Sequence, residues 1–341
     1  MATLTLALDA MGGDNGPSIV IEALKKALIT HPTVHFIVVG DEAEIQSLLS
    51  SAQLSEHPRV TIAHASQTVE MTDKPGYSLR AKPDSSMRVA LELVANEQAA
   101  ACVSAGNTGA LMTKAYFALK TLPGVLRPAL MSAIPQHQGG SAFVLDLGAN
   151  PVCDSDTLFQ FGVMGSVAAQ EVLGIAQPRV ALLNIGEEDT KGNDVVKATA
   201  ALFQQSSHIH YIGFLEGDDL FAGKADVIVC DGFVGNVALK SCEGLADLLL
   251  SNIRANIEAH WLTRWFVKLF YQRLQRSWDW LKPDHYNGAS LIGLRGVVIK
   301  SHGDANARAF ESAIDQAIEA AQRSLPNQIK DRVEQVLLEQ E

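Results

Sequence analysis

The stretch LTLALDAMGGDNGP at residues 4–17 predicts the first unit of the fold. Leu4, Leu6 and Leu8 form a short apolar run that ends in turn residues, which is typical of a buried strand. The glycines that follow permit a tight loop, and the proline and apolar-periodic residues after them predict a helix. A loop between a strand and a helix start exposes backbone N–H groups, so this unit can bind an anion.

Four later segments repeat this pattern of an apolar run that ends in a polar residue near a glycine. The polar residues that end the five runs are Asp9, Ser104, Asp146, Asn184 and Asp231. Alternating apolar strands and helices imply a mostly parallel sheet with helices on both faces. We therefore expect these residues to line one polar crevice at the carboxyl ends of neighbouring strands. For any one of them alone, helix capping or turn formation is the simpler interpretation.

The composition is that of an ordinary globular protein, with 341 residues, 47% hydrophobic and 19% charged. This length predicts one α/β catalytic domain over residues 1–325, either undivided or made of two intertwined lobes, and a polar helical tail over 326–341. The net charge of −11 argues against a nucleic-acid partner. The chain shows no leader pattern and no apolar run long enough to span a membrane, which predicts a cytoplasmic protein.

Several common catalytic motifs are absent from the sequence. It contains no GxGxxG fingerprint, no P-loop, no GxSxG elbow and no HExxH pair, and its four cysteines have no CxxC spacing. We therefore predict no cofactor and no metal site. The cations expected to hold an anionic substrate are Arg80 and Lys82, in an irregular region over residues 54–86, and Lys191 is a second candidate.

All four tryptophans lie within residues 261–280, in a segment that is locally basic. Its helical periodicity and charge predict an aromatic-basic helical hairpin over 251–285 that contacts a membrane surface or an acidic protein. Burial on the sheet or in a dimer interface is the alternative. The residues predicted to make the membrane or carrier-protein contact are Trp261, Arg264, Trp265, Phe266, Lys268, Phe270 and Arg273.

Four motifs together resemble the bacterial phosphate acyltransferase family of phospholipid synthesis. They are LDAMGGD at 8–14, SAGNTG at 104–109, DLGAN at 146–150 and DGFVGN at 231–236, and the resemblance extends over residues 4–325. It implies a three-layer α/β/α fold around a large, mostly parallel mixed sheet. Such a fold is similar to that of phosphotransacetylases and of isocitrate and isopropylmalate dehydrogenases, here with a protruding amphipathic hairpin.

The resemblance also implies an activity and partners. The expected reaction is reversible transfer of a long-chain fatty acyl group from acyl-acyl carrier protein to inorganic phosphate, giving acyl phosphate for phosphatidic acid synthesis. The expected partners are acyl carrier protein, a second copy of the chain, and the membrane surface with its glycerol-phosphate acyltransferase. The protein is accordingly expected to be peripheral to the inner face of the membrane.

Direct attack of phosphate on the thioester needs positioned donors and cations but no covalent enzyme intermediate. The predicted catalytic residues are Asp231, Asn107, Asn236 and Asp9, with Asp231 as the first choice for proton transfer to the departing thiol. The predicted substrate-binding residues are Gly12, Gly13, Arg80, Lys82, Ser104, Gly106, Thr108, Asp146, Asn150 and Gly232.

Three other functions are compatible with parts of this pattern. A metal-dependent decarboxylating dehydrogenase of the same fold would use the aspartates to hold Mg²⁺. A phosphotransacetylase-type enzyme would use acyl-coenzyme A as the donor. A non-catalytic scaffold would bind carrier protein or membrane, but the predicted polar crevice argues against it. The aromatic-basic segment favours a long-chain donor on an acidic carrier.

Overall fold

The computed structural model describes residues 4–137, 139–259 and 287–340. All seven residues predicted to contact membrane or carrier protein, from Trp261 to Arg273, lie outside these ranges, as does most of the predicted hairpin. The described strands are β1 (Thr5–Asp9), β2 (His35–Gly40), β3 (Val60–His64), β4 (Ala101–Ser104), β5 (Ala129–Pro135), β6 (Ser141–Leu145), β7 (Arg179–Leu183), β8 (His210–Leu215), β9 (Val227–Val229), β10 (Ala289–Ile292) and β11 (Val297–Lys300). The described helices are α1 (Pro17–Thr30), α2 (Glu42–Ser51), α3 (Pro75–Ala81), α4 (Ser86–Ala95), α5 (Thr108–Leu119), α6 (Ser155–Leu173), α7 (Asp194–Gln205), α8 (Gly232–Ala259), α9 (Ala307–Gln322) and α10 (Leu325–Gln340).

The strands form one sheet in the order β3-β2-β1-β4-β11-β10-β5-β6-β9-β7-β8. Alternate residues of each strand pack on opposite faces, as the pleat requires. Leu6 and Leu8 of β1 join a core that includes α1, α6, α9 and α10, whereas Ala7 joins a second core with α4, α5 and part of α8. The predicted three-layer architecture with a large mixed sheet is therefore confirmed.

The two halves of the sheet run in opposite directions. Pairing is parallel from β3 to β11 and again from β6 to β8, but β10 is antiparallel to both β11 and β5, and β5 is antiparallel to β6. Three reversals therefore separate β4 from β6. The carboxyl ends of β1 and β4 consequently lie at one edge of the sheet, and those of β6, β7 and β9 lie at the other.

This arrangement corrects the expectation of one crevice at shared strand ends. Asp9 and Ser104 end strands at one edge, whereas Asp146, Asn184 and Asp231 follow strands that end at the opposite edge. The reason is that an apolar run carries no information on strand direction. The β5–β6 hairpin that causes one reversal is closed by glycines at 139 and 140 with φ of +84° and +81°.

The predicted polar tail is helix α10, and one of its faces is buried. Leu325, Ile329, Val333 and Val336 recur at helical spacing, are at most 4% exposed, and join the core beside α6. The other positions of the helix are mainly polar, which explains why the composition predicts a polar helical tail. The segment is thus part of the packed fold.

We expect Ile329→Ala to lower the free energy of unfolding by about 2–5 kcal/mol, because Ile329 is 1% exposed and its removal leaves a cavity under α10. Gln328→Ala, at an exposed neighbouring position, is the matched control and should change it by less than about 0.5 kcal/mol. Urea unfolding monitored by circular dichroism measures both. Equal, small effects would show that α10 does not contribute to the core.

Candidate active site

Asp9 and Ser104 form a buried pair at the ends of β1 and β4. They lie opposite each other in the strand register, and neither side chain is accessible to solvent. Ser104 Oγ donates to Asp9 Oδ2 at 2.6 Å and accepts a bond from the backbone N–H of Gly106 at 3.1 Å. Burial raises the pKa of Asp9, although hydrogen bonding by Ser104 acts in the opposite direction. The pair joins the ends of β1 and β4 through a buried hydrogen bond.

Glycines allow three loops to meet backbone against backbone beside this pair. A Cβ atom at Gly12 would lie 2.7 Å from the Gly106 nitrogen. One at Gly13, which has φ +91°, would lie 2.9 Å from the Gly303 carbonyl oxygen. Asp14 N–H donates to that same oxygen at 2.7 Å. Side chains are thereby excluded from the junction of these loops.

Two functional candidates at this edge were missed by the sequence analysis, namely Lys300 and His302. Lys300 ends β11 and lies opposite Ser104, and it is only 7% exposed. The signal was available, because VVIKSHG at 297–303 is an apolar run that ends in a polar residue near a glycine, as in the five units recognised. We call the set Asp9, Gly12, Gly13, Ser104, Gly106 and Lys300 the first group.

The two predicted phosphate-clamping cations have different environments. Lys82 donates to Asp73 Oδ2 at 2.6 Å and to the Thr68 carbonyl at 2.7 Å, and its hydrogen bond lowers the pKa of Asp73. Lys82 is therefore occupied in holding its loop. Arg80 is exposed, and its Nε donates to the Gly76 carbonyl at 3.2 Å. Of the two cations, Arg80 is therefore the one whose charged group remains open to a ligand.

Asn107 is engaged at both ends of its amide. Its Oδ1 accepts from Ala110 N–H at 2.9 Å and caps α5, while its Nδ2 donates to the Met71 carbonyl at 2.5 Å. Thr108 is the first residue of α5 and lies next to it. These contacts give Asn107 a positioning role, since it ties the start of α5 to the loop at residues 71–73.

Asp146 is a buried carboxylate saturated with hydrogen bonds. Its Oδ1 accepts from the backbone N–H groups of Leu130, Gly148 and Ala149, and its Oδ2 accepts from Asn150 through both backbone and side chain, all at 2.5–3.2 Å. Burial raises its pKa against the opposing effect of these bonds. Asp146 therefore shapes the 146–150 turn and has no oxygen free for a substrate.

Helix α8 begins on this turn. Gly232 N–H donates to the Asn150 carbonyl at 2.8 Å, and a Cβ at Gly235 would overlap the Asp146 carbonyl oxygen at 2.0 Å. Asp231 caps the helix through its Oδ1, which accepts from Val234 N–H at 2.8 Å. The amides of Gly106 and Gly232, which the sequence suggested as donors to a substrate, are thus already bonded within the fold. We call Asp146, Asn150, Asp231, Gly232 and Asn236 the second group.

Helix α8 connects the two groups across the sheet. Lys240 Nζ lies 2.9 Å from His302 Nε2, next to the first group. Asn236 is exposed, packs near Gly148 of the second group, and lies four residues before Lys240 on the same helix face, about 6 Å away along the axis. Helix α8 therefore carries Asn236 beside the second group and Lys240 next to the first.

The predicted polar residues differ in how far the fold already engages them. Within residues 4–137, 139–259 and 287–340, no cluster of three His, Cys, Asp or Glu side chains could hold a metal ion. Asp146 is saturated by hydrogen bonds, and Asp9 is fully buried with its Oδ2 bonded to Ser104 and its Oδ1 without a partner among the described residues. Arg80, Asn236 and one oxygen of Asp231 remain available. Exposed Lys191 lies on the loop after β7, where Asn184 Nδ2 donates to the Gly186 carbonyl at 3.1 Å.

Comparison with known proteins identifies the family. A family model described as "Fatty acid synthesis protein" matches residues 4–328. The chain belongs to this family. A phosphate acyltransferase from Idiomarina loihiensis is 61% identical over 340 residues, which is 100% of both chains, and one from Shewanella sp. strain MR-4 is 50% identical over 339 residues, or 99% of each. The family resemblance seen in the sequence is therefore confirmed.

Solved structures support the fold assignment. A branched-chain phosphotransacylase from Enterococcus faecalis V583 superimposes with a TM-score of 0.61 over 93% of this chain and 99% of that one, at 19% identity. A EutD phosphotransacetylase from Staphylococcus aureus superimposes with a TM-score of 0.59 over 94% of each chain, at 20% identity. The fold of this chain is therefore similar to that of these two solved structures.

We expect Asp146→Asn to lower the free energy of unfolding by about 2–4 kcal/mol, because the new NH₂ group replaces an acceptor that serves buried donors. Asp231→Asn is the matched control. Asparagine caps a helix as well as aspartate, so stability should change by less than about 0.5 kcal/mol. Urea or thermal unfolding compares the two. If both variants were as stable as the parent, Asp146 would not organise the turn.

Proposed function

We propose that this protein is a phosphate acyltransferase that moves a long-chain fatty acyl group reversibly from acyl-acyl carrier protein to inorganic phosphate, giving acyl phosphate for phospholipid synthesis. The observation that carries the proposal is the 50–61% identity, over essentially the whole chain, to proteins named phosphate acyltransferase. The description of the matching family, fatty acid synthesis, supports a fatty acyl donor on the carrier protein of that process.

The reaction breaks a thioester C–S bond and forms a C–O bond to phosphate. A phosphate oxygen attacks the carbonyl carbon, an oxyanion develops, and the departing thiolate takes a proton. Phosphate is largely ionised near neutral pH, so no covalent enzyme intermediate is needed. Holding both reactants in line supplies up to about 7–11 kcal/mol in the best intramolecular cases. A donor aimed at the oxyanion adds about 3–4 kcal/mol.

Arg80, Asn236 and Asp231 have groups that are not bonded within the described part of the fold, and we assign one part of the reaction to each. The exposed guanidinium of Arg80 can contact phosphate through two N–H groups. The exposed amide of Asn236 can donate to the oxyanion, because it stands at the start of α8 beside the 146–150 turn. Asp231 has one carboxylate oxygen beyond its capping bond, which we assign to proton transfer with the thiol. Lys82, Asn107 and Asp146 act by holding the surrounding loops.

We expect the purified protein to form labelled acyl phosphate from palmitoyl-acyl carrier protein and labelled phosphate, detected as label extracted into organic solvent. Palmitoyl-coenzyme A in a matched reaction should react much more slowly. In single-turnover acyl transfer, Asp231→Asn should be at least tenfold slower although it stays folded, since it cannot exchange the proton. Product from coenzyme A alone would instead support a phosphotransacetylase-type enzyme. No acyl phosphate from either donor contradicts the proposal.

We also propose that the protein works as a homodimer at the inner face of the membrane, beside the glycerol-phosphate acyltransferase that uses its product. Support comes from α8, which leads toward the aromatic-basic segment and exposes a series of apolar side chains. They are Phe233, Val237, Leu245, Leu248 and Leu249, each at least 50% exposed. Apolar surface of this extent is typical of a docking face. In the described ranges no helix is long and apolar enough to cross a bilayer.

We expect the double variant Trp261→Ala and Trp265→Ala to bind anionic phospholipid vesicles at least tenfold more weakly, because interfacial tryptophans contribute much of the apolar contact. The control is Tyr116→Ala with Phe117→Ala, which removes two exposed rings from α5. Vesicle sedimentation measures both. Unchanged binding in the tryptophan variant would mean that this segment contacts another protein surface, such as a dimer interface.

A further inference from the structure

Lys300 is a buried ammonium group without a counter-ion in contact. It is 7% exposed, and in the described ranges no carboxylate oxygen lies within 4 Å of its Nζ. Its Nζ donates to the carbonyl oxygen of Ala105 at 3.4 Å, a long bond, and to the carbonyl oxygen of Ser301. An ammonium has three N–H donors, and a buried charge is costly unless it is paired. This cation is therefore incompletely satisfied by the protein.

A second buried lysine in this fold has better-placed acceptors. Lys114 is 1% exposed and donates to the carbonyl oxygens of Ser78 and Lys82 at 2.8 and 2.9 Å. Both carbonyls belong to the C-terminal end of α3, where the helix dipole is negative and favours a cation. The acceptors of Lys300 are loop carbonyls after β4 and β11, so no helix end stabilises it.

The carboxylates around Lys300 do not replace a counter-ion. Asp14, Asp304 and Asp9 favour its charged form only from a distance. Asp14 and Asp304 are exposed, so water screens them, and Asp304 Oδ1 accepts from His302 Nδ1–H at 2.6 Å. Asp9 is buried, and burial raises its pKa, which disfavours its negative charge.

A second ammonium group stands close to the first. Burial and the nearby charge of Lys240 together lower the pKa of Lys300 to about 8, which leaves it mainly protonated at neutral pH. Lys240 donates to His302 Nε2 at 2.9 Å and to Glu243 Oε2 at 2.6 Å. Through His302, Lys240 brings a second cation to the loop that follows Lys300, although Lys240 is half exposed and paired with Glu243. An anion bound beside Lys300 would offset a charge that no contacting carboxylate of the described ranges balances.

We infer that Lys300, assisted by Lys240, binds the inorganic phosphate substrate at the junction of the 12–13, 105–106 and 302–303 loops. The inference rests on the proposed function and assigns it a phosphate-binding residue at the first group. Lysine suits this role as a compact point charge, and the glycines let the three loops pack backbone against backbone beside it. Asn236 lies one turn from Lys240 on the same helix face, so the face that carries the assisting cation also carries the proposed oxyanion donor.

The test varies phosphate and palmitoyl-acyl carrier protein separately in the acyl phosphate assay with the full chain. We expect Lys300→Met to raise the KM for phosphate about tenfold or more, since a charge-assisted hydrogen bond is lost, while the KM for palmitoyl-acyl carrier protein stays within about twofold. Lys300→Arg should recover part of the phosphate affinity. Lys224→Met, at an exposed lysine paired with Asp219 and Glu187, is the control and should match the parent.

Equilibrium binding provides a readout besides activity. Inorganic phosphate should raise the thermal midpoint of the parent protein and of Lys224→Met, but not that of Lys300→Met. A phosphate KM within twofold of the parent, together with an unchanged phosphate-induced shift, overturns the inference. If the variant behaves in this way while the parent protein forms acyl phosphate normally, the inference fails but the proposed function stands. If the parent protein is inactive with both thioesters, the proposed function itself is contradicted.

If Lys300→Met does not fold, the variant Lys240→Met tests the inference instead. The Lys240 side chain is 51% exposed, so its removal should leave the core undisturbed. We expect at least a threefold rise in the KM for phosphate, smaller than for Lys300 because Lys240 is better solvated. An unchanged phosphate KM in Lys240→Met would overturn the inference in that case.

Discussion

The carboxylate of Asp146 holds the turn on which the rest of the site depends. Five hydrogen bonds converge on it, and they place Asn150 and the start of α8 in fixed positions. Because α8 begins on this turn, the turn helps to set where Asn236 and Lys240 lie along the helix. Burial of the Asp146 carboxylate costs desolvation energy. Its hydrogen bonds to backbone donors offset part of this cost and hold the start of α8 in place.

Helix α8 links polar residues that the sheet topology keeps apart. In a sheet whose halves run in opposite directions, polar residues at strand ends lie at two separate edges. Helix α8 starts at one edge, and Lys240 reaches His302 at the other. The acyl-transfer chemistry proposed here needs donors, a proton carrier and cations in one place. Helix α8 contacts both groups, through Asn236 at one and Lys240 at the other, which the strand ends alone do not.

The charges of the two groups follow from burial. Aspartates dominate the sequence motifs, yet Asp146 is saturated by the backbone, and burial raises the pKa of Asp9. An anionic substrate therefore meets less repulsion than a count of carboxylates suggests. In the same region, the protein only partly satisfies the hydrogen-bond donors of the Lys300 ammonium group. An acidic chain with net charge −11 can thus contain a local site for phosphate, because local geometry and burial outweigh the overall charge.

The sequence by itself determined the strand–loop–helix units, their glycine turns, the three-layer architecture and the family, because these depend on local apolar periodicity and short motifs. It also located Asp9, Ser104, Asp146 and Asp231 at strand ends. Only the tertiary structure decided which of these ends meet, since strand direction depends on β5 and β10 pairing far along the chain. It likewise decided that Lys82 pairs with Asp73 and that Lys300 lies buried without a contacting counter-ion, because partners and burial are properties of packing between distant segments.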